Sequence, residues 1–268
     1  MKKGVNNMSG SNNIKQKDFL ELNDVKERLS RLKSNASREV LGSRGFYYYT
    51  TLDTFSKIFD NKEIWIRNVS NMNDRKEFVL DPQLEKEKKF YHLFCFSNSD
   101  VESIPMWYMY SGISGNGVRI KFTSLLVKEI INNCKLYTPA GDLLCKDDYE
   151  VKAGWVYYRY RDGYYKLNNK SYTVCDWNKS FYKDNMFVKS HHWLYEKEFR
   201  IVIKNRLDEE FDYLKLDISA IFDKLTFTFG PEFEYSELKK YPILKGVRKS
   251  GRFKNSTLDI SMGLIKNP

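Results

Sequence analysis

The spacing of apolar and polar positions changes several times along the chain. Over 14–34, Phe19, Leu22, Val25, Leu29 and Leu32 recur every three or four residues, which predicts an amphipathic helix. The Ser-Asn-Ala-Ser and Gly-Ser-Arg-Gly stretches after it read as a linker. Residues 1–45 are therefore expected to be a leader with a helical appendage, and 46–268 a single α+β domain. In that domain FYYYT predicts a strand and TLDTFSKIFDN a short helix. Thr50 or Thr51 would cap the helix and Asn61 would stop it. EIWIRN, YHLFCFS and GVRIKF predict three more strands, and PMWYMYS a short aromatic helix opened by Pro105.

From about 124 to 185 the pattern is less regular and reads as an insertion. Within it, WVYYRYRDGYYKL predicts a hairpin turning at Asp162-Gly163. A helix is expected over 177–189. It leads to EKEFRIVIK, a strand in which Phe199, Ile201 and Ile203 alternate with Arg200, Val202 and Lys204. LKLDISAIFDKLTFTFGPEF predicts two strands around a short helix, and SELKKYPIL a last helix. Strands and short helices at irregular intervals give a mixed α+β fold rather than a regular βαβ barrel.

Composition narrows this picture. A hydrophobic fraction of 41% and an aromatic fraction of 16% exclude a disordered polymer. No run approaches the roughly 18 apolar residues of a membrane span. MKKGVNNMSGSNN lacks the apolar segment of a signal peptide, so a cytoplasmic location without membrane contact is expected. Cys95, Cys134, Cys145 and Cys175 form no CxxC pair and only three histidines are present, which points to reduced buried thiols and no zinc site. The net charge of +10 is concentrated: 1–45 contributes +5, 151–206 contributes +7, and Lys245–Lys254 holds five positive charges and no acid. Such clusters favour phosphate backbones, although each is also what an ordinary solvated face carries.

Phosphate-loop, HExxH and GxSxG patterns are absent. Instead, short polar and aromatic motifs fall at strand ends. They are Tyr47-Tyr48-Tyr49-Thr50, Asn71-Met72-Asn73-Asp74 with Glu77, Cys95-Phe96-Ser97, Met106-Trp107 with Tyr110, and Glu196-Lys197-Glu198-Phe199-Arg200. In content and order these motifs resemble the bacterial domain-of-unknown-function family 2971, over about residues 46–204. That family is similar in turn to ADP-ribosyltransferase-like toxins. The resemblance implies a split β-sheet core with short helices and an inserted aromatic, basic hairpin, with NAD as the cofactor.

It also implies site roles. Glu198 would be the catalytic carboxylate, with Glu196 as its alternate on the same strand face. Tyr48 stands where the family usually has histidine, and Tyr49 and Thr50 would shape the same pocket. Asn73, Asp74 and Ser97 would contribute to binding, Trp107 or Tyr110 would stack on nicotinamide, and Arg200 would complete the set. The structural alternatives are a core role for Met106 and Trp107, a turn and helix cap at Asn71–Asp74, and an ion pair between Glu198 and Arg200.

The hairpin carries a separate signal. Tyr157, Tyr158, Tyr160 and their neighbours interleave with Arg159, Arg161 and Lys166, which suits single-stranded nucleic acid, RNA above all. The expected function is ADP-ribose transfer to nucleic acid by a toxin of anti-phage defence or growth arrest, held by an antitoxin or other inhibitory protein. The alternatives are a non-catalytic nucleic-acid-binding or sensor module, and a nuclease built on Asp81, Glu87 and Lys89.

Overall fold

The computed structural model describes residues 45–72, 86–112, 115–133, 135–160, 164–167, 170–173, 185–244 and 251–258. The N-terminal helix expected over 14–34, Asn73, Asp74, Glu77, Asp81, Arg161 and the Asp162-Gly163 turn lie outside the described residues. So do Cys134, Cys175 and most of the basic stretch 245–254.

The domain is mixed α+β, with one large sheet and few helices. Its strands are β1 (Phe46–Thr50), β2 (Glu63–Asn68), β3 (Tyr91–Ser97), β4 (Val118–Phe122), β5 (Lys135–Tyr137) and β6 (Tyr149–Trp155). Then come β7 (Tyr157–Tyr160), β8 (Tyr164–Leu167), β9 (Lys170–Thr173), β10 (Val188–Ser190), β11 (Glu198–Asn205), β12 (Tyr213–Asp217), β13 (Thr226–Phe229) and β14 (Phe253–Asn255). Among the described residues the α-helices are α1 (Leu52–Asn61), α2 (Ile104–Tyr110) and α3 (Ser124–Asn133).

Ten strands form the main sheet, in the order β14-β13-β4-β1-β3-β2-β12-β5, and β11 joins β3 to β6 as a branch. Neighbours are antiparallel except β13 and β14. The sheet forks at β3. One side of β3 pairs with β11 along its whole length, from Tyr91 to Ser97. The other side meets β1 only at Ser97 and β2 only at Leu93 and His92. β1 and β2 therefore diverge from β3, and α1 bridges them.

Local sequence explains these elements. Thr51 caps α1 by accepting from the Thr54 backbone N–H, and Leu52, Phe55 and Ile58 face inward at helical spacing. Period-two alternation in β2 buries Ile64 and Ile66 and leaves Trp65 and Arg67 exposed. The principal core joins Phe46, Phe94, Phe96, Phe122, Phe199 and Phe227 with the aliphatic residues of β2, β4, β11 and β12. β11 is covered on both faces: Phe199, Ile201 and Ile203 enter this core, while Val202 joins Tyr91, Leu93, Met186 and Phe187 in a second one. The glycine-rich turn after α2 holds Gly112 and Gly115 at positive φ. Gly117 matters for a different reason. A Cβ there would lie 2.3 Å from the Thr50 carbonyl oxygen, so glycine lets β1 and β4 close.

Three expectations change. Of the segment read as an insertion, α3, β5 and β6 belong to the main core and sheet, and β7–β9 form a separate four-stranded sheet with β10, which lies beyond that segment. Of the helix expected over 177–189, 177–184 lie outside the described residues, and the rest forms a short 3-10 turn, Asn185–Phe187, and then β10. SELKKYPIL forms two 3-10 pieces, Tyr235–Lys240 and Pro242–Leu244, instead of one helix. Pro242 cannot donate the backbone hydrogen bond that would continue the first of them.

Candidate active site

A cleft of about 590 Å³ occupies the fork of the sheet. Tyr47–Thr51 form one wall, Glu63, Trp65 and Arg67 the other, and residues 93–97 of β3 the back. Asp53, Thr54 and Lys57 of α1 border one end. Met106, Met109 and Tyr110 of α2 lie alongside Lys189, Glu196 and Glu198 at another.

Glu198 opens β11 and its side chain is buried. Arg200 lies two positions along the same strand face. Its Nε donates to Glu198 Oε1 at 2.9 Å and its Nη2 to Oε2 at 3.2 Å. The guanidinium is fully buried, and its Nη1 donates to the Met186 carbonyl at 2.6 Å. Lys189 of β10 brings its ammonium to 3.4 Å from Glu198 Oε2 and 2.7 Å from Glu196 Oε2. The Glu198 backbone N–H donates to the Tyr158 hydroxyl at 2.8 Å, and Tyr110 donates its phenolic O–H to Glu196. Two carboxylates, two cations and two phenols thus meet at one end of the cleft.

Their surroundings split the two acids. Burial raises the pKa of Glu198, but Arg200 and Lys189 outweigh it and hold the carboxyl down at about 2. Glu196 is pushed up to about 7, first by burial and then by the charge of Glu198, against the opposing pull of Lys189. Burial and the neighbouring carboxylates also raise the Tyr110 and Tyr158 phenols, so both stay protonated. One acid is fixed as an anion while the other titrates near neutrality, the division that acid–base catalysts use.

The backbone corrects how these acids come together. Glu196 is not on the strand; it ends the 3-10 helix His191–Glu196. Lys197 then takes the left-handed conformation, with φ at 45°, and turns the chain into β11. The acids converge through this turn and through Lys189, not by sharing a strand face.

The other expected residues divide. Tyr48, Tyr49, Thr50, Ser97 and Tyr110 line the cleft. Registry places Ser97 opposite both Glu198 and Tyr47, so Tyr47 and Tyr49 share the face of Glu198. Tyr48 points to the other face, edge-on to the Phe94 ring at 5.3 Å. Burial raises its phenol pKa, which the charge of Arg67 partly offsets. Trp107 does not present a stacking face: it is fully buried against Tyr49, and its indole N–H donates to Glu102 at 3.0 Å. Arg200 does not line the cleft either; it acts on the cleft through Glu198.

Sequence reasoning misses Lys189, which stands at the end of an expected helix. It places Tyr158 among base-stacking residues, whereas the Tyr158 hydroxyl is held by the Glu198 backbone. The two strands β7 and β8 pair antiparallel, with Arg159 opposite Tyr165 and Tyr160 opposite Tyr164. The strands therefore carry Tyr157, Arg159, Tyr160 and Lys166 in the expected order.

Other chemistry disperses. Glu87 pairs with Lys204 and Lys89 with Glu210, so the two nuclease candidates that are described point to different partners. Cys95 is half-buried and Cys145 exposed, unlike the buried thiols expected. Among the described residues, no helix is long and apolar enough to cross a membrane. Compared with known proteins, the chain matches no family model, no curated protein and no solved structure.

Proposed function

We propose that the cleft binds NAD and that the protein transfers ADP-ribose from it to an unpaired region of RNA or DNA, as a toxin of anti-phage defence or growth arrest. The observation that carries this reading is the pair of buried glutamates with divided protonation at the end of an aromatic-walled cleft. The cleft volume falls within the range of small-molecule sites. The fork in the sheet and the order of the motifs support the likeness to ADP-ribosyltransferase-like folds.

Cleaving the nicotinamide–ribose bond develops positive charge on the ribose, as in glycoside cleavage. The permanent anion of Glu198 stabilises that charge, and Arg200 and Lys189 keep it ionised and in place. As the acceptor oxygen or nitrogen bonds to the ribose carbon, the nicotinamide departs with the electrons of the broken bond. The acceptor proton passes to ionised Glu196, whose pKa of about 7 suits proton transfer at neutral pH. Tyr110 orients Glu196, and Lys189 couples the two acids.

The test incubates the full chain with labelled NAD and, separately, RNA, single-stranded DNA and protein. Transfer to a nucleic acid is expected, rising as pH increases through about 7, and Glu196→Gln should lower it roughly 10²- to 10⁴-fold. Failure to transfer to any acceptor while NAD still binds would sink the enzymatic reading. A second reading, a non-catalytic nucleic-acid-binding module, draws on the complete pairing of Glu198 with cations, which is also how a structural strut is built. Salt-sensitive RNA binding without transfer, unchanged by Glu198→Gln, would establish it.

A further inference from the structure

β2, β12 and β5 run side by side at one end of the main sheet, and their inner residues Ile64, Ile66, Leu214, Leu216 and Leu136 are buried in the core. Registry fixes what the opposite face carries. Arg67 pairs with Tyr213, Trp65 with Lys215, and Lys215 in turn with Tyr137, while Lys135 lies opposite Asp217. Residues opposite each other on antiparallel strands share a face, so three aromatic and three basic side chains cover one surface.

That surface is open. Trp65 is 51% exposed, far more than any other tryptophan or phenylalanine of the cores. It is also held flat, with its ring 4.3 Å from that of Tyr213 and only 9° from parallel. A rigid aromatic pair with one face in water accepts another planar ring at little entropic cost. The face also carries two carboxylates, Glu63 opposite Asp217; Asp217 lies opposite Lys135 and accepts from the Ser219 backbone N–H at 2.7 Å, and Glu63 lines the cleft. Trp65 and Arg67 also line the cleft, so the face runs without interruption into the site of the two glutamates.

We propose that the outer face of β2, β12 and β5 is the docking platform for a single-stranded nucleic acid, with a base stacked on Trp65 and phosphates held by Arg67, Lys215 and Lys135. This rests on the proposed function for what happens next, because the platform would deliver the strand to the cleft. The binding stands by itself. The aromatic and basic residues alternate across three strands, matching the alternation of bases and phosphates along an unpaired strand. The platform differs from the β7–β8 hairpin, where sequence alone places this contact.

The test measures fluorescence anisotropy of labelled single-stranded RNA and DNA oligonucleotides with the full chain, without NAD, at two salt concentrations. Trp65→Ala is expected to weaken binding at least about fivefold, the lower end of the effect of losing one stacked base. Lys215→Glu should weaken it and flatten the salt dependence. Its surface position keeps the test valid should Trp65→Ala disturb the fold. Wild-type affinity in both variants would overturn the platform, as would loss of binding only on Arg159→Glu. Competition by NAD equal to that by oligonucleotide would also overturn it, by assigning Trp65 to the dinucleotide. Intact oligonucleotide binding with no transfer would refute the chemistry and leave the platform standing.

Discussion

The acidic cluster of the cleft and the outer face of β2, β12 and β5 use charge in opposite ways. In the cluster, Glu196, Glu198, Lys189 and Arg200 are all buried, and each has an opposite charge within 3.4 Å. On the face, Arg67 is exposed and Lys215 half-buried, and each lies directly opposite an aromatic residue, Tyr213 and Trp65. Buried charge is costly to remove from water and must be compensated internally, so it fixes geometry. Exposed charge is nearly free, contributes little to stability, and remains available to a partner. The first region holds its charged groups in fixed places, and the second leaves its charged groups in contact with water.

Substitutions should separate the two sharply. Arg200→Met leaves Glu198 buried with half its compensation gone, and urea denaturation should register a loss of about 3–5 kcal/mol. Replacing both partners, Glu198→Leu with Arg200→Met, should recover most of it, since an apolar pair of similar volume needs no compensation. If the single variant is as stable as wild type, the cluster is not a rigid element of the fold.

A buried titratable group with no charged partner among the described residues extends the contrast. His92 is fully buried, its Nε2 lies 2.9 Å from the Phe211 carbonyl, and burial lowers its pKa to about 4. The unfolded chain binds this proton at about pH 6.5 and the folded chain at about pH 4. Stability from this group is therefore complete above about 6.5 and declines as pH falls toward about 4. The decline should approach roughly 3 kcal/mol, and His92→Gln should remove much of the slope in denaturation midpoints between those pH values.

The smallest effects belong to the face. Trp65→Ala loses one ring contact with Tyr213 and should cost about 1 kcal/mol. Lys215→Glu should move stability by no more than about 0.5 kcal/mol. Thermal melts check both. A loss comparable to that of Arg200→Met would mean that the face supports the fold and is not held ready for a ligand.

Much of this arrangement is legible in the sequence, and the failures share a cause. The strands expected at FYYYT, EIWIRN, YHLFCFS and GVRIKF form, because β-branched and aromatic residues favour the pleated backbone; only EIWIRN alternates in burial, and the other three are covered on both faces. Glu198 and Arg200 do form the ion pair that their spacing allows. Glu196 is misplaced when strand periodicity is carried across Lys197, whose left-handed backbone no local pattern reveals. Lys189 is missed because its role comes from β10 meeting the start of β11. The mixed aromatic and basic face of β2 and β12 is missed as well, although Ile64 and Ile66 already imply outward Trp65 and Arg67. What sequence cannot supply is Tyr213 and Lys215 beside them, since only the pairing of β2 with β12 makes that surface.

The central position of β11 has a consequence for how the protein comes to exist in a cell. The cleft walls come from β1, β2, β3 and α2, all in the first half of the chain, whereas Lys189, Glu196 and Glu198 come from the second. The Tyr110–Glu196 contact alone spans 86 residues. Contacts so distant in sequence form late, after the entropy of closing long loops has been overcome. A chain still emerging from the ribosome carries walls without acids, and the cluster is complete only when β11 inserts between β3 and β6. Synthesis thereby separates in time the making of the cleft walls from the arrival of the two glutamates.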